Sequence, residues 1–369
     1  MKYINYNNCI VGIPNSILSY FGLEKCNQSN VLVDEYLRKY NPKNIVTIIC
    51  DGMGNDFFNE YLPDNNFLRK NIKSVISSVF PTTTTSAITS LITGLYPNEH
   101  CWLGFDNYVS ELDKVVSMFL NKEKDTDYIF SIPNICRIIF PYKTIIEKIN
   151  ESGIANATYI SKNAIDANER YFSFDEICTI IKEICDDNKK NYVFAHYENP
   201  DFLMHRYGID SSEVIQNIEY ISRKIEELCL CLNDTLLIIS ADYGLFDNDY
   251  IYIEDDTDFF ECLLHTTSIA SRASMFFLKH GYEDKFLDNF NKKYKKFFLL
   301  LSKKEILEKK IFGIGIDNEK FESCLGDYIA ISISNYSFKY IRKGSKTLAS
   351  HSGLTENEVD VPLVMIYKK

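Results

Sequence analysis

The chain has 369 residues, of which 46% are hydrophobic and 25% are charged, and its formal net charge at pH 7 is -11. This length and apolar content allow a large buried core and exclude a globally disordered chain. The excess of acidic residues argues against nucleic acid or an anionic membrane as the main partner. No apolar stretch reaches the roughly 18 residues that would span a bilayer.

Short apolar runs alternate with amphipathic segments, which is typical of a mostly parallel sheet covered by helices on both faces. The runs predict strands over 45–50, 75–80, 157–160, 192–196, 235–240, 273–278, 328–332 and 363–367. The amphipathic segments predict helices over 30–40, 144–151, 174–185, 212–230, 283–291 and 304–309. We therefore predict an α/β fold, a three-layer αβα sandwich. It forms a single domain over 1–369, with 250–345 as a candidate semi-independent lobe.

The eleven cysteines point to a reducing compartment. Their number is odd and they form no C-x-x-C pair, so a disulfide framework is not expected. The first residues also lack the charged and then apolar pattern of a secretory signal. We therefore expect reduced thiols and a cytoplasmic location.

Two acidic residues lie at the carboxyl ends of predicted buried strands. Asp51 comes after the run 45–50 and before Gly52, and Asp242 comes after the run 235–240. Open α/β sheets bind their ligands at the carboxyl ends of parallel strands. Each residue is a candidate ligand, although an Asp-Gly pair is also common in ordinary turns.

A threonine run lies between an apolar run and a helical segment. Thr82 to Thr85 follow Pro81 and precede the helix-like residues 87–93, which end at Gly94. A hydroxyl at a helix start faces free backbone N–H groups and the positive end of the helix dipole, where phosphate binds. The alternative is a helix cap without chemistry.

A second group combines carboxylate and imidazole. Asp201 and His205 are four residues apart, which places them on one face of a helix, and His351 precedes the last predicted strand. This pattern suits a metal ion, whereas a capping Asp and a surface His are the alternative for a lone pair. His196, inside a predicted strand, is interpreted as a core or supporting histidine. Together with Asp51 and Asp242, these residues predict two metal-ligand sets with a nucleophile between them.

The sequence resembles the alkaline phosphatase superfamily, and is most similar to its type I phosphodiesterase/nucleotide pyrophosphatase branch. The resemblance spans residues 45 to 363 in the family's order. Its motifs are Asp51-Gly-Met-Gly, Phe80-Pro-Thr-Thr-Thr-Thr, Thr93-Gly-Leu-Tyr-Pro-Asn-Glu-His100, Pro200-Asp-Phe-Leu-Met-His-Arg-Tyr-Gly208, Ala241-Asp-Tyr-Gly-Leu245 and His351-Ser-Gly-Leu-Thr-Glu-Asn-Glu-Val-Asp-Val-Pro-Leu363.

The resemblance implies an alkaline phosphatase-like fold and two divalent metal ions, usually zinc, with manganese or magnesium as alternatives at the second site. By similarity, the first ion takes Asp201, His205 and His351. The second takes Asp51, Asp242 and the nucleophile. The nucleophile is placed at Thr84, with Thr83 and Thr85 as neighbouring alternatives within the run.

The sequence departs from the family pattern at two places. Tyr243 stands where the family usually has a histidine after the second-site Asp, and it is kept as a candidate ligand. Phe105 stands where the nucleotide-cleaving branch has an Asn that helps hold the phosphoryl oxygen, and Asn107 lies two residues on. Both are candidate substrate-binding residues, as are the phosphate contacts Arg206 and Arg272.

The sequence therefore predicts a hydrolase of phosphodiester or pyrophosphate bonds in small soluble substrates such as nucleotides, acting through a phosphothreonine intermediate. One alternative is a phosphomonoesterase on the same fold, and a phosphomutase is a further enzymatic alternative. The non-enzymatic alternative is a degenerate phosphate-ester binder that has lost its second metal through Tyr243.

Overall fold

The fold centres on a six-stranded sheet. We analysed a computed structural model that describes residues 1–130, 133–343 and 346–369, so that 344 and 345 of the predicted lobe lie outside it. From edge to edge, the strands of the central sheet are Ile72–Ser77, Asp360–Lys368, Thr235–Ser240, Asn44–Cys50, Asn191–Tyr197 and Asn156–Ser161.

The sheet is mostly parallel, as predicted. Asn44–Cys50 pairs in parallel with strands on both sides, whereas Asp360–Lys368 runs antiparallel to its two neighbours. Every residue of Asn44–Cys50, Asn191–Tyr197 and Thr235–Ser240 is buried. Burial on both faces is the reason that these strands appear in the sequence as continuous apolar runs.

Helices cover both faces of this sheet and complete the predicted three-layer sandwich. Helix Ser212–Cys231 buries Val214, Ile218, Ile221 and Ile225, the stripe that its spacing predicts. The α-helices are Gly12–Tyr20, Val31–Tyr40, Asn55–Tyr61, Phe67–Lys70, Thr84–Thr93, Pro97–His100, Ile135–Ile139, Ile145–Ser152, Phe174–Asp186, Asp201–Tyr207, Ser212–Cys231, Thr257–Phe260, Glu283–Lys293, Lys303–Lys309 and Glu356–Val359. Within the described ranges, no helix is long and apolar enough to cross a membrane.

A second sheet of seven strands is antiparallel throughout. Its strands, in spatial order, are Phe298–Ser302, Tyr328–Ser332, Ala273–Phe276, Ser268–Ile269, Asp106–Val109, Lys114–Ser117 and Lys122–Glu123. The predicted lobe over 250–345 contributes four of these strands, and 106–123 contributes the other three. Two short strand pairs, Asp249–Tyr252 with Tyr336–Lys339 and Phe246–Asp247 with Ala349–Ser350, complete the strand set.

Two predicted strands end earlier in the structure than their apolar runs do. The run 75–80 forms the strand Ile72–Ser77, because Val79 and Phe80 are buried by packing and not by ladder pairing. The run 273–278 ends its strand at Phe276, because the chain then pairs with residues 263–264. Helix Gly12–Tyr20 was not predicted. All eleven cysteines are free, as expected for reduced thiols.

Candidate metal centre

The three candidate aspartates meet at one edge of the central sheet. Asp51, Asp201 and Asp242 follow the adjacent strands Asn44–Cys50, Asn191–Tyr197 and Thr235–Ser240. The backbone N–H of Asp201 donates to the carbonyl of Asp51 at 2.9 Å, which joins two of these loops. Gly52 adopts φ +74°, and a Cβ there would lie 2.9 Å from Cβ of Asp201. The close approach of the carboxylates therefore requires glycine at this turn.

One ligand set combines Asp201 with two imidazoles. Oδ1 of Asp201 lies 3.3 Å from Nε2 of His205 and 3.9 Å from Nε2 of His351. Helix Asp201–Tyr207 carries the first pair, and the loop after Ala349–Ser350 carries His351. The structure thus brings together the three residues that were predicted for the first ion.

The hydrogen bonds of these two histidines fix their tautomers. Nδ1 of His205 lies 2.7 Å from the carbonyl of Ala349, and Nδ1 of His351 lies 2.9 Å from the carbonyl of Thr82. Because a carbonyl only accepts, each Nδ1 donates its proton, and the lone pair is left on Nε2. Both lone pairs face Asp201, which is the arrangement that metal-binding histidines adopt.

A second set contains Asp51, Asp242 and His196, whose ligand atoms all lie within 4.8 Å of one another. Oδ1 of Asp242 accepts from the backbone N–H groups of Gly52 at 3.0 Å and Tyr243 at 3.1 Å. Its Oδ2 is buried without a hydrogen-bond partner among the described residues. A buried carboxylate oxygen without a partner is costly, and a bound cation would satisfy it.

The electrostatics of the cluster also favour a cation. Burial, together with the nearby charge of Asp51, raises the pKa of Asp201 to about 7. Burial and the charge of Asp51 raise the pKa of Asp242 well above its usual range. Burial is the largest effect on Asp51 and opposes its ionisation, but the combined interactions with His196, Tyr243 and His351 outweigh it and lower the pKa of Asp51. Burial and the nearby His205 lower the pKa of His351 to about 3, which keeps this imidazole neutral, as a metal ligand must be.

Thr84 is the first residue of helix Thr84–Thr93 and lies beside Asp51 of the second ligand set. Its Oγ1 is 3.5 Å from Oδ2 of Asp51 and 2.6 Å from the Tyr243 hydroxyl. That hydroxyl is also 2.6 Å from Oδ1 of Asp51 and 3.3 Å from Oδ1 of Asp201. Tyr243, a candidate metal ligand from the sequence, therefore places its phenol oxygen beside the candidate nucleophile.

The neighbouring threonines have different surroundings. The Thr82 hydroxyl donates to the carbonyl of Gly353 at 3.2 Å and accepts from the N–H of Ser352 at 3.0 Å, so it holds the loop that carries His351. The Thr85 side chain is buried, and its hydroxyl has no hydrogen-bond partner in the described structure.

The candidate substrate contacts are placed outside the two ligand sets. Arg206 is exposed on helix Asp201–Tyr207, with its guanidinium over the Tyr207 ring. Arg272 is fully buried and instead directs Nε to Glu358 at 2.7 Å. Each of these arginines, predicted as a phosphate contact, therefore has a partner within the protein: the Tyr207 ring for Arg206 and the Glu358 carboxylate for Arg272.

The two other candidate substrate contacts, Asn107 and Phe105, have different surroundings. The Asn107 amide donates to the carbonyl of Cys101 at 2.8 Å and accepts from the N–H of Leu103 at 3.3 Å, so it stabilises the chain around it. Phe105 is 43% exposed and contacts Phe119 edge to face.

A pocket of about 360 Å³ opens beside Thr84. Besides Thr84 and His196, its walls include Phe119, Tyr171 and Lys162, which sequence reasoning did not single out. Lys162 is paired with Glu198, which also lines the pocket. The only sequence signal for these residues was their position in loops that follow central strands or cross the sheet edge.

Comparisons with known proteins agree with this arrangement. A family model described as type I phosphodiesterase / nucleotide pyrophosphatase matches residues 45–309. No curated protein matches the sequence. Among solved structures, murine ectonucleotide pyrophosphatase / phosphodiesterase 5 is similar with a TM-score of 0.67, 19% identity and 87% of each chain covered.

Two further solved structures share the fold. An inactive threonine-to-alanine variant of the murine protein, in complex with AMP, has a TM-score of 0.66 at 18% identity, with 87% of each chain covered. Phosphonoacetate hydrolase from Sinorhizobium meliloti 1021, in complex with phosphonoformate, has a TM-score of 0.62 at 16% identity, covering 88% of this chain and 90% of that chain. With the family model matching well over half of its length, the chain belongs to the type I phosphodiesterase/nucleotide pyrophosphatase family of phosphoric ester hydrolases.

Proposed function

We propose that this enzyme hydrolyses phosphodiester or pyrophosphate bonds in small soluble substrates such as nucleotides, with two divalent metal ions and with Thr84 as the nucleophile. The observation that carries the proposal is the position of the Thr84 hydroxyl. It lies at a helix start, 3.5 Å from Oδ2 of Asp51, and it contacts the Tyr243 hydroxyl, which also reaches Asp201 of the other ligand set. An inactive threonine-to-alanine variant of the murine relative also supports a threonine in this role.

The residues present fit a pair of cations. The first ion would be held by Asp201, His205 and His351, and the second by Asp51, Asp242 and Thr84. Zinc suits the nitrogen-containing first set, and zinc, manganese or magnesium suits the oxygen-rich second set. Bound divalent cations neutralise phosphoryl oxygens and lower the pKa of a nearby hydroxyl.

Thr84 acts first. Its Oγ1 attacks phosphorus in line, the bond to the leaving oxygen breaks, and a phosphothreonine forms. The Tyr243 hydroxyl donates to Oδ1 of Asp51, so the Thr84 hydroxyl donates its own proton to the Tyr243 oxygen. This chain of hydrogen bonds gives the Thr84 proton a path through Tyr243 to Asp51 as the alkoxide attacks.

Water then hydrolyses the phosphothreonine, and Thr84 regains its proton. The free N–H groups at the start of helix Thr84–Thr93 point at the phosphoryl group and stabilise its charge. Nδ1 of each first-set imidazole is held by a carbonyl, that of Ala349 or Thr82, which directs each Nε2 toward Asp201.

The pocket beside Thr84 would receive the leaving group. It presents apolar walls, including Phe119, Leu120 and Ile165, to a space of about 360 Å³ that Thr84 lines directly. A flat, partly apolar group such as a nucleobase suits such walls. AMP is the ligand in the complex of the murine relative's variant.

A phosphomonoesterase is the second candidate, and Asn107 is the observation that favours it. Its amide is engaged by the backbone of Cys101 and Leu103, while Phe105 occupies the position where the nucleotide-cleaving branch has an Asn. An enzyme without that amide lacks a contact that helps the nucleotide-cleaving branch hold the phosphoryl oxygen, which weakens the case for diester preference.

One experiment separates these readings. The purified chain is freed of metal, reloaded with zinc, manganese or magnesium, and assayed for bound metal and for hydrolysis of nitrophenyl phosphate, bis(nitrophenyl) phosphate and a nitrophenyl nucleotide ester. Two bound ions with faster diester or nucleotide-ester cleavage support the proposal. Faster monoester cleavage supports the second candidate. One ion or none, without turnover of any ester, indicates a non-catalytic binder.

A further inference from the structure

We propose that His196 supplies the imidazole ligand of the second metal ion, in place of the histidine that Tyr243 has replaced. This inference rests on the proposed two-metal function and assigns a ligand within it. It starts from the observation that Asp51, His196 and Asp242 form a buried group whose ligand atoms lie within 4.8 Å of one another.

The order of the strands brings this imidazole to the site. Asn44–Cys50, which Asp51 follows directly, lies between Thr235–Ser240 on one side and Asn191–Tyr197 on the other. Tyr243 follows the first of these neighbours, whereas His196 belongs to the second, in register with Ile49. The replacement imidazole thus reaches Asp51 from the opposite side, with Nε2 of His196 3.0 Å from Oδ2 of Asp51.

Tyr243 does not compete with His196 for the space beside Oδ2 of Asp51. Its hydroxyl contacts the other oxygen of Asp51, Oδ1, and the Thr84 hydroxyl, each at 2.6 Å. Its ring is fully buried and stacks on His351 with centroids 4.1 Å apart. Each oxygen of Asp51 therefore has its own partner, and the phenol serves the nucleophile while the imidazole faces the carboxylates.

The unpartnered oxygen of Asp242 is an independent sign that a cation belongs here. Oδ2 of Asp242 is buried without a hydrogen-bond partner among the described residues, although its Oδ1 accepts two backbone N–H groups. An ion held by Asp51, His196 and Asp242 would satisfy this oxygen. One imidazole and two carboxylates form a donor set that zinc and manganese both accept.

The rival role for His196 is that of a hydrogen-bond donor that positions Asp51. The two roles differ at one atom, because a ligand needs a lone pair on Nε2 and a donor needs a proton there. His196→Gln separates them. The amide nitrogen of glutamine donates a hydrogen bond from about the same place but has no lone pair to give to a metal.

The test measures zinc binding to the whole chain by equilibrium dialysis with metal analysis. We expect two ions on the parent chain and a second-site affinity weakened more than about a hundredfold in His196→Gln, beyond the 10–100-fold typical of a supporting residue. His280→Gln is the matched control, because His280 is exposed, and it should bind both ions as the parent does.

Two ions of unchanged affinity on His196→Gln would overturn this inference and leave the proposed function intact. Fewer than two ions on the parent chain would instead overturn the two-metal function, and this inference with it. If His196→Gln does not fold, X-ray absorption of the zinc-loaded parent decides. Three imidazole nitrogens shared by two ions, at about 2.0–2.1 Å, support the inference, and two overturn it.

Discussion

Two buried charged groups of this protein are built in opposite ways. The carboxylates Asp51, Asp201 and Asp242 crowd one edge of the central sheet, and one oxygen of Asp242 has no partner in the described structure. The carboxylate of Glu358 is just as buried, but it has its own cation in Arg272. By the proposed function, bound cations balance the charge of the first group, whereas the second group is neutral as folded.

The Arg272–Glu358 pair has the geometry of a structural ion pair. Nε and Nη2 of Arg272 contact the two carboxylate oxygens at 2.7 and 3.0 Å, and neither side chain is exposed. Glu358 also accepts from the N–H groups of Gly353 and Thr355, in the loop that carries His351. Burial opposes ionisation of Glu358, but the charge and hydrogen bonds of Arg272, together with the hydrogen bonds from Thr355 and Gly353, outweigh it and lower the pKa of Glu358.

The comparison teaches how to tell a buried charge that holds the fold from one that serves chemistry. Where the chain supplies a counter-ion in bidentate contact, removal of a partner should reduce stability. Where it leaves carboxylates crowded, removal of a residue should reduce metal binding or turnover and leave the fold intact. The following variants test this division.

The largest effect is expected for Thr84→Ala. Loss of the nucleophile should lower turnover about a thousandfold or more, while the midpoint of thermal unfolding stays close to that of the parent. Steady-state kinetics and calorimetry on the metal-loaded protein measure both. Thr85→Ala is the neighbouring control and should keep most of the activity. If Thr85→Ala is the inactive variant, the nucleophile lies one residue further along.

Arg272→Met should cost about 3–5 kcal/mol of unfolding free energy, because it leaves Glu358 buried and unpaired. Urea titration measures this loss, and the double variant Arg272→Met with Glu358→Leu should recover much of it. A variant of full stability whose KM for phosphate esters rises would instead support Arg272 as a phosphate contact, as its sequence position suggested.

Tyr243→Phe removes the group that accepts the Thr84 proton but not the nucleophile. Turnover should fall about a hundredfold, within the range for a lost proton-transfer group, and zinc binding should stay at the parent level. Lost zinc in this variant would show that the phenol oxygen is a ligand. Tyr243→His, with the imidazole usual in the family, is the comparison variant.

Asp242→Asn and Glu358→Gln should change the stability of the metal-free protein in opposite directions. Asp242→Asn removes a buried carboxyl whose ionised form has no counter-ion, and should stabilise the fold by about 1–2 kcal/mol while weakening the second metal site. Neutralising Glu358 should destabilise the fold with or without metal. Unfolding in chelator and in excess zinc measures both, and a metal-free Asp242→Asn that is less stable than the parent would contradict this view.

The smallest expected effect is on how the stability of these two variants changes with pH. The pKa of Asp242 is raised in the folded protein, so the parent's stability from this carboxyl is present at low pH and lost as pH rises through the folded pKa. The advantage of metal-free Asp242→Asn should therefore be larger at pH 8 than at pH 5.

Glu358 should show the reverse, because its pKa is lowered and its stabilisation is lost as pH falls through the folded pKa. The deficit of Glu358→Gln should therefore shrink toward acid pH. Thermal unfolding at several pH values, in chelator, compares each variant with the parent. A deficit that grows toward acid pH would contradict the assignment of Glu358 to a structural ion pair.

Much of the fold follows from local patterns. The inner strands are buried on both faces, so their apolar runs are visible without a structure, and Asn44–Cys50 and Thr235–Ser240 agree with the predictions. The strands over 106–123 are short and belong to a sheet edge, where alternation is weak. Their pairing with Ser268–Ile269 is distant in sequence, and local periodicity carries no information about it.

The sequence by itself determined which chemistry this edge of the sheet offers, because Asp51, Asp201 and Asp242 each follow a recognisable apolar run and parallel strands present their carboxyl ends together. Only the tertiary structure decided the partners. It paired Arg272 with Glu358 and brought His196 against Asp51. These choices depend on which strands become neighbours and on the register between them. Both are set by packing between residues far apart in the chain, to which local sequence patterns are blind.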